Sequence, residues 1–326
     1  MATALRLAYA ATVSTASSAG RVAQQDARPI FQRQNDPALL KLLRADTWHY
    51  RLAKRWHLAR IAGSIGFAAA APVITFWWHS ATVWVAVAAG AWVLIGRTVM
   101  NLAEQREVHL GATVQEQFDT DLFRMEWNGG LAGPKPTPED VTDAARHVSN
   151  VDRLRNWYAD TGQAPWPLDV VLCQRSSAVW GRREHAAYGK TVLALGVIWF
   201  AVGIVCGLAA HVTLGDYLLR LFLPSQPVFL DTIDLFVRHR EQSSAKEAVE
   251  GAATSLWAKG VGDPGTIGPD ACRQLQDQVY RIRRMGLQIP EWFYRLHRER
   301  NELAMTTAVG ELLAQLPSPA GPANDE

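Results

Sequence analysis

The chain has 326 residues, 48% of them hydrophobic and 20% charged, with a formal net charge of +2. That balance supplies no global basic field, and no DNA binding is expected of it. Cys173, Cys206 and Cys272 are odd in number and lack metal-ligand spacing, which argues against a disulfide framework and a zinc site, so neither metal nor cofactor is expected.

The mean hydropathy of −0.06 averages over very apolar and very polar blocks. Residues 1–28 are rich in Ala, Ser and Thr and read as a disordered leader, since Ser and Thr interrupt the apolar run a targeting peptide needs. In 29–60, Asp36 is placed as an N-cap and Pro37 as the first helical residue. Leu39, Leu40 and Leu43 share a face, and no stop signal follows, so one long rod is expected to continue into the next segment.

That segment, 61–99, holds charge-free runs at 61–78 and 81–96 separated by His79 and Ser80, the pattern of a transmembrane hairpin with spans at 61–78 and 81–97. About 20 residues cross a hydrocarbon core, so both runs are slightly short without their flanks. The polar central region, 100–189, contains "FDTDLFRMEWN". Asp119 and Asp121 lack a third ligand, and the bland reading is an aromatic turn with solvated acids. Further on, Thr137, Pro138 and Asp140 open a helix reaching about Val148.

A second hairpin is expected over 190–235, with spans at 191–210 and 212–230 and a turn near His211 to Gly215. The fourth span is unusual because it carries Asp216 and Arg220, then "LPSQP", which sets Ser225 and Gln226 between two prolines that kink or break a helix. Two readings stand at this point: a structural ion pair beside a helix end, or polar groups lining a water path through an oligomer. Arg55, Arg60, Arg97, Arg182, Arg183, Lys190, Arg238 and Arg240 flank the spans on one side, whereas the two short turns have no Lys or Arg. Both termini are therefore expected in the cytoplasm. Trp56, Trp77 and Trp78 fall at expected interfaces, and Gly203 with Gly207, and Gly66 with Ala70, offer small-residue packing faces.

The region 236–310 closes with two amphipathic helices separated at Gly286 to Pro290 and bearing Arg281, Arg283, Arg284, Arg295, Arg298 and Arg300, followed by a disordered tail, 311–326. "YGKT" and "GVGDPG" imitate phosphate loops but lack the strand, turn and helix context. With no G-x-S-x-G, H-E-x-x-H or C-x-x-C, no enzyme is expected.

"RQNDPALLKLLRA", "FDTDLFRMEWN", "NWYADTG", "LCQRSSAVW" and "QDQVYRIRRMGLQIPEWFYRLHRER", interleaved with two hairpins in this order, resemble the SMODS-associating four-transmembrane family over about residues 30 to 305. The family's central motif often has Pro where this chain has Glu126. The resemblance implies an all-α membrane protein with four spans in two hairpins and helical cytoplasmic segments. It further implies a pore-forming effector of bacterial anti-phage defence, acting in the inner membrane beside enzymes that make cyclic oligonucleotides. A homo-oligomer within the lipid bilayer and a cyclic oligonucleotide ligand follow as expected partners. On that resemblance Asp119, Asp121, Trp127, Asn128, Gln174 and Arg175 are family-motif candidates, the arginines Arg281, Arg283, Arg284, Arg295 and Arg298 ligand-site candidates, and Asp216, Arg220, Ser225 and Gln226 permeation candidates. The competing classes are a non-conducting membrane anchor and, less well matched, a transporter without internal repeats.

Overall fold

A computed structural model describes residues 28–317, and every regular element among them is helical. The expected leader lies outside the described residues except for Arg28, which donates to both carboxylate oxygens of Asp36 at 2.9 and 2.8 Å. Asp36 therefore precedes the helix without capping it through its side chain.

The main helices are α1 (Pro37–Trp77), α2 (Thr82–Ile95), α3 (Asn101–Phe123), α4 (Pro138–Ala145), α5 (Leu168–Ala209), α6 (Leu223–Gly260), α7 (Pro269–Arg284) and α8 (Glu291–Leu313). A π-helical turn, Gly96–Met100, joins α2 to α3 without a break, and another, Leu218–Phe222, leads into α6. The expected long rod is present as the 41 residues of α1, and α5 has 42. At 1.5 Å per residue each is about 60 Å long, roughly twice a hydrocarbon core. Length alone thus divides each rod into a part matched to lipid and a part that needs another environment.

The sequence of exposures follows that division. Toward the hairpin tips, Ile65, Val73, Trp84, Val87, Leu195, Ile198, Val205 and Leu208 face outward. At the other end, Leu43, Phe118, Leu122, Leu172, Ala253, Trp257 and Leu275 form one buried core drawn from α1, α3, α5, α6 and α7. The segments before, between and after the hairpins consequently share a single core, and residues 99–100, 189–190 and 235–236 fall inside continuous helices. Three helical stretches, Pro37–Thr75, His79–Phe123 and Leu168–Ala209, are long and apolar enough to cross a membrane. The fourth apolar stretch folds as a helix beside them and carries Asp216 and Asp231 among its apolar residues.

Both hairpin turns form where expected, at His79–Ala81 and just before Leu214, with His211 at φ 50° reversing the chain. The helix opening at Pro138 is capped by Thr137, whose Oγ1 accepts from the Asp140 amide, but it ends at Ala145. The tail is ordered further than expected, because α8 reaches Leu313 and Leu312, Leu313 and Leu316 pack on the core. The remainder of it, 318–326, lies outside the described residues.

The expected break at the prolines does not occur, since α6 runs through Pro227. The π-turn immediately ahead widens the backbone ladder where the prolines remove donors, and so accommodates them without ending the helix. Close packing replaces the break as the feature of this pair: a Cβ on Gly196 would lie 2.4 Å from Thr232 Cγ2, and one on Gly207 2.9 Å from Tyr217 Cδ2. Gly203 and Gly207 thus mark a contact within the chain, whereas nothing lies within 4 Å of a Cβ on Gly66. Gly196→Val is expected to destabilise the chain by about 1–3 kcal/mol, while Gly66→Ala stays within about 0.5 kcal/mol, as read from thermal unfolding in detergent.

Candidate functional site

The motif residues, distant in sequence, meet inside the polar core. Asp119 on α3 is fully buried and ion-paired with Arg283 on α7. Tyr158 donates its hydroxyl to Asp119 Oδ1 at 2.7 Å, and Gln276 Nε2 donates to Asp119 Oδ2 at 3.0 Å. Arg283 also donates to Ser177 Oγ on α5 at 3.0 Å. Gln174 donates to the Cys272 carbonyl at 3.0 Å and to Gln276 Oε1 at 3.1 Å. One turn before Asp119, Glu116 accepts from Arg273 at 2.5 Å and from Gln276 at 2.8 Å. A buried charge network of this kind fixes the register of the helices that supply it, because each member left alone would be costly.

This arrangement corrects the reading of Asp119 as a solvated acid. Helix periodicity places it on the inner face of α3, while Asp121, two residues on, is exposed and pairs with Lys135 at 3.2 Å. No group of three or more His, Cys, Asp or Glu among the described residues could hold a metal ion. Asn128 caps Gly129–Ala132 and donates to Asp277 at 2.9 Å, and Trp127 Nε1 donates to the Gly133 carbonyl at 2.7 Å. Arg175 donates to Thr254 at 3.1 Å. The arginines of the last two helices do not act as one cluster. Arg283 is committed to the core, Arg295 and Arg298 pair with Glu291 and Glu302 on their own helix, and Arg281 and Arg284 are exposed.

Nearby, Lys246 on α6 lies over Gly181 of α5, where a Cβ would be 2.7 Å from its Nζ. Burial, and then the like charge of Arg283, push its ammonium down from 10.5 to about 8.

A second polar cluster, which sequence reasoning missed, lies where the apolar halves meet the core. Arg60 on α1 is buried and reaches Asp231 Oδ1 on α6 at 3.2 Å, and Ser64 donates to Asp231 Oδ2 at 2.7 Å. His57 contacts Glu104 on α3 at 3.1 Å, Arg60 lies 3.9 Å from the same carboxylate, and Arg97 lies 3.9 Å from Asp231. Arg60 therefore does not serve as a free flanking cation. His239 on α6 continues the layer, 2.8 Å from His185 of α5. The available signal was the carboxylate of Asp231, directly after the apolar run that ends at Leu230, which demands a partner at that depth.

Of the permeation candidates, Asp216, Ser225 and Gln226 have described side chains. Asp216 completes a capping box with Thr213, donating its amide to Thr213 Oγ1 at 3.2 Å and accepting from it at 2.9 Å. Ser225 is buried and Gln226 is exposed on the outer face of the single chain. The Arg220 side chain lies outside the described residues, and its backbone sits in the turn Leu218–Phe222.

Long helices with an outward apolar half, anchored in a charge-stitched polar core, define the class of helical membrane proteins with a substantial polar helical domain. Within it, the SMODS-associating 4TM effector domain matches residues 28–312, and the chain belongs to that family. It is 26% identical over 284 residues to a Bacillus cereus (strain VD146) protein named "probable CBASS effector molecule", covering 85% of this chain and 95% of that one. No solved structure matches the chain.

Asp119→Asn is expected to cost about 3–5 kcal/mol by stranding the Arg283 cation, whereas Asp121→Asn costs under about 0.5 kcal/mol, measured by denaturation of the detergent-solubilised chain. Lys246 binds its proton more tightly unfolded than folded, so its contribution to stability rises with pH between about 8 and 10.5. Lys246→Met is expected to flatten that rise and to stabilise the chain at pH 7 by on the order of 1–3 kcal/mol, checked by unfolding midpoints across the pH range.

Proposed function

We propose that the chain is an anti-phage effector of a nucleotide-signalling defence system that, once activated, opens a water path through the bacterial inner membrane and arrests or kills the infected host. The observation that carries this reading is the ion-paired set Arg60, Asp231 and Glu104, buried between helices at the edge of the apolar zone, where charges mark routes for ions. Family membership and the name of the Bacillus relative support the defence role. The Lys and Arg bias supports a cytoplasmic location for the polar core and both termini, and the reading takes four spans in two hairpins with no catalytic role.

Activation in this reading comes from a cyclic oligonucleotide, recognised by the core through donors such as the exposed Arg281 and Arg284. The ligand shifts the packing only by preferring the open state. A homo-oligomer supplies the path, because at the level of the charged cluster the single chain is tightly packed: the space among Arg60, Ser64, Val93, Arg97 and Asp231 is about 10 Å³, at the lower limit for one water. That same tight packing favours the second reading, a non-conducting anchor that holds the core at the bilayer.

The test is ion flux from liposomes bearing the purified full chain, with and without a panel of cyclic oligonucleotides at fixed salt. Flux that appears with one ligand is the expected outcome, and absence of flux under every condition with verified insertion overturns the reading. Exchange of both hairpins for unrelated ones is expected to abolish protection against phage in cells, and retained protection would identify the anchor.

A further inference from the structure

The Arg60, Ser64, Glu104 and Asp231 cluster joins the two hairpins at one level. Arg60 and Ser64 come from α1, Glu104 from α3 and Asp231 from α6, with Arg97 at the π-turn between α2 and α3 reaching the same Asp231 oxygen as Arg60. Helical rise sets Ser64 about 20 Å and Asp231 about 26 Å from their hairpin tips, near the inner edge of a 30 Å hydrocarbon layer.

The pairing there is incomplete. Arg60 Nε, His57 Nε2, Glu104 Oε2 and Trp92 Nε1 are buried with no hydrogen-bond partner among the described residues. A layer of buried ion pairs with unused donors and acceptors is costly when dry, and entry of water would satisfy those same atoms. The backbone around it is close-fitted: a Cβ on Gly96 would lie 3.2 Å from Arg60 Cγ, and one on Gly63 would overlap the Trp92 ring at 1.9 Å. Among Arg60, Ser64, Val93, Arg97 and Asp231 the space is the cavity of about 10 Å³ described above.

We propose that this cluster is the gate, with Asp231 as its bolt: its bonds to Arg60 and Ser64 hold α6 against α1, and their rupture admits water and small ions between the hairpins. The path itself rests on the permeation reading given above, whereas the closure can be tested apart from it. The bolt belongs to α6, the helix that also carries Lys246 and the His239 contact, so movement of α6 relative to the core reaches the gate without an intermediary.

The experiment uses the full chain in vesicles with Cys206→Ser and Val93→Cys, leaving Cys173 and Cys272 buried. Reaction of the thiol at position 93 with a charged, water-soluble thiol reagent is timed alongside ion flux, with no added ligand. Asp231→Asn preserves shape while removing the charge, and it is expected to speed labelling about tenfold or more and to raise flux, with Ser64→Ala giving a smaller rise of about threefold. Resistance of the polar core to trypsin verifies folding of each variant, and if Asp231→Asn fails that check, Ser64→Ala alone decides. Faster labelling together with flux supports the gate. Faster labelling without flux supports the closure assignment and overturns the permeation reading, and unchanged labelling in a folded variant overturns the gate itself.

Discussion

The Asp119 and Arg283 ion pair sits where five stretches of the chain come together. Asp119 is fully buried and Arg283 nearly so, so each is tolerable only while the other stays in place, and Tyr158, Gln276 and Ser177 complete their shells. Slippage of α3 or α7 by one residue would carry one charge into apolar surroundings. The pair thereby fixes the relative height of α3, α5 and α7, and through α3 and α5 it fixes the height of the apolar halves.

The apolar halves have no such internal register. Their outward faces are interchangeable to lipid, and their inward faces rely on small residues such as Gly196 and Gly207 that permit approach without specifying depth. Register is supplied at the ends: the capping box at Thr213 fixes where the second hairpin turns back, and the Asp231 layer fixes where it meets the polar core. Between those points the Leu218–Phe222 turn absorbs the proline-rich stretch within a continuous helix.

The hairpins were legible because lack of charge over a bilayer's width has few structural solutions, and His79 and His211 to Gly215 were correctly placed as turns. The motif residues were legible as a set, but not their role, since Asp119 and Gln276 are 157 positions apart and no periodicity relates them. Asp231, Glu104 and His57 were missed for a similar reason: each stands in polar sequence just outside an apolar run, and Arg60 finds Asp231 across 171 positions. Ser225 and Gln226 are neighbours, yet one is buried and the other exposed. A π-turn adds a residue to the helical count, so phase cannot be carried across it by a 3.6-residue rule.

Helical continuity gives the molecule a mechanical property. A rod of about 60 Å clamped along half its length behaves as a lever, and a tilt of about 5° at the clamp displaces the tip of the free half, about 30 Å away, by about 3 Å. Adjustments in the polar core too small to break a hydrogen bond there are thus delivered at the opposite end as movements close to the size of a hydrated ion's radius.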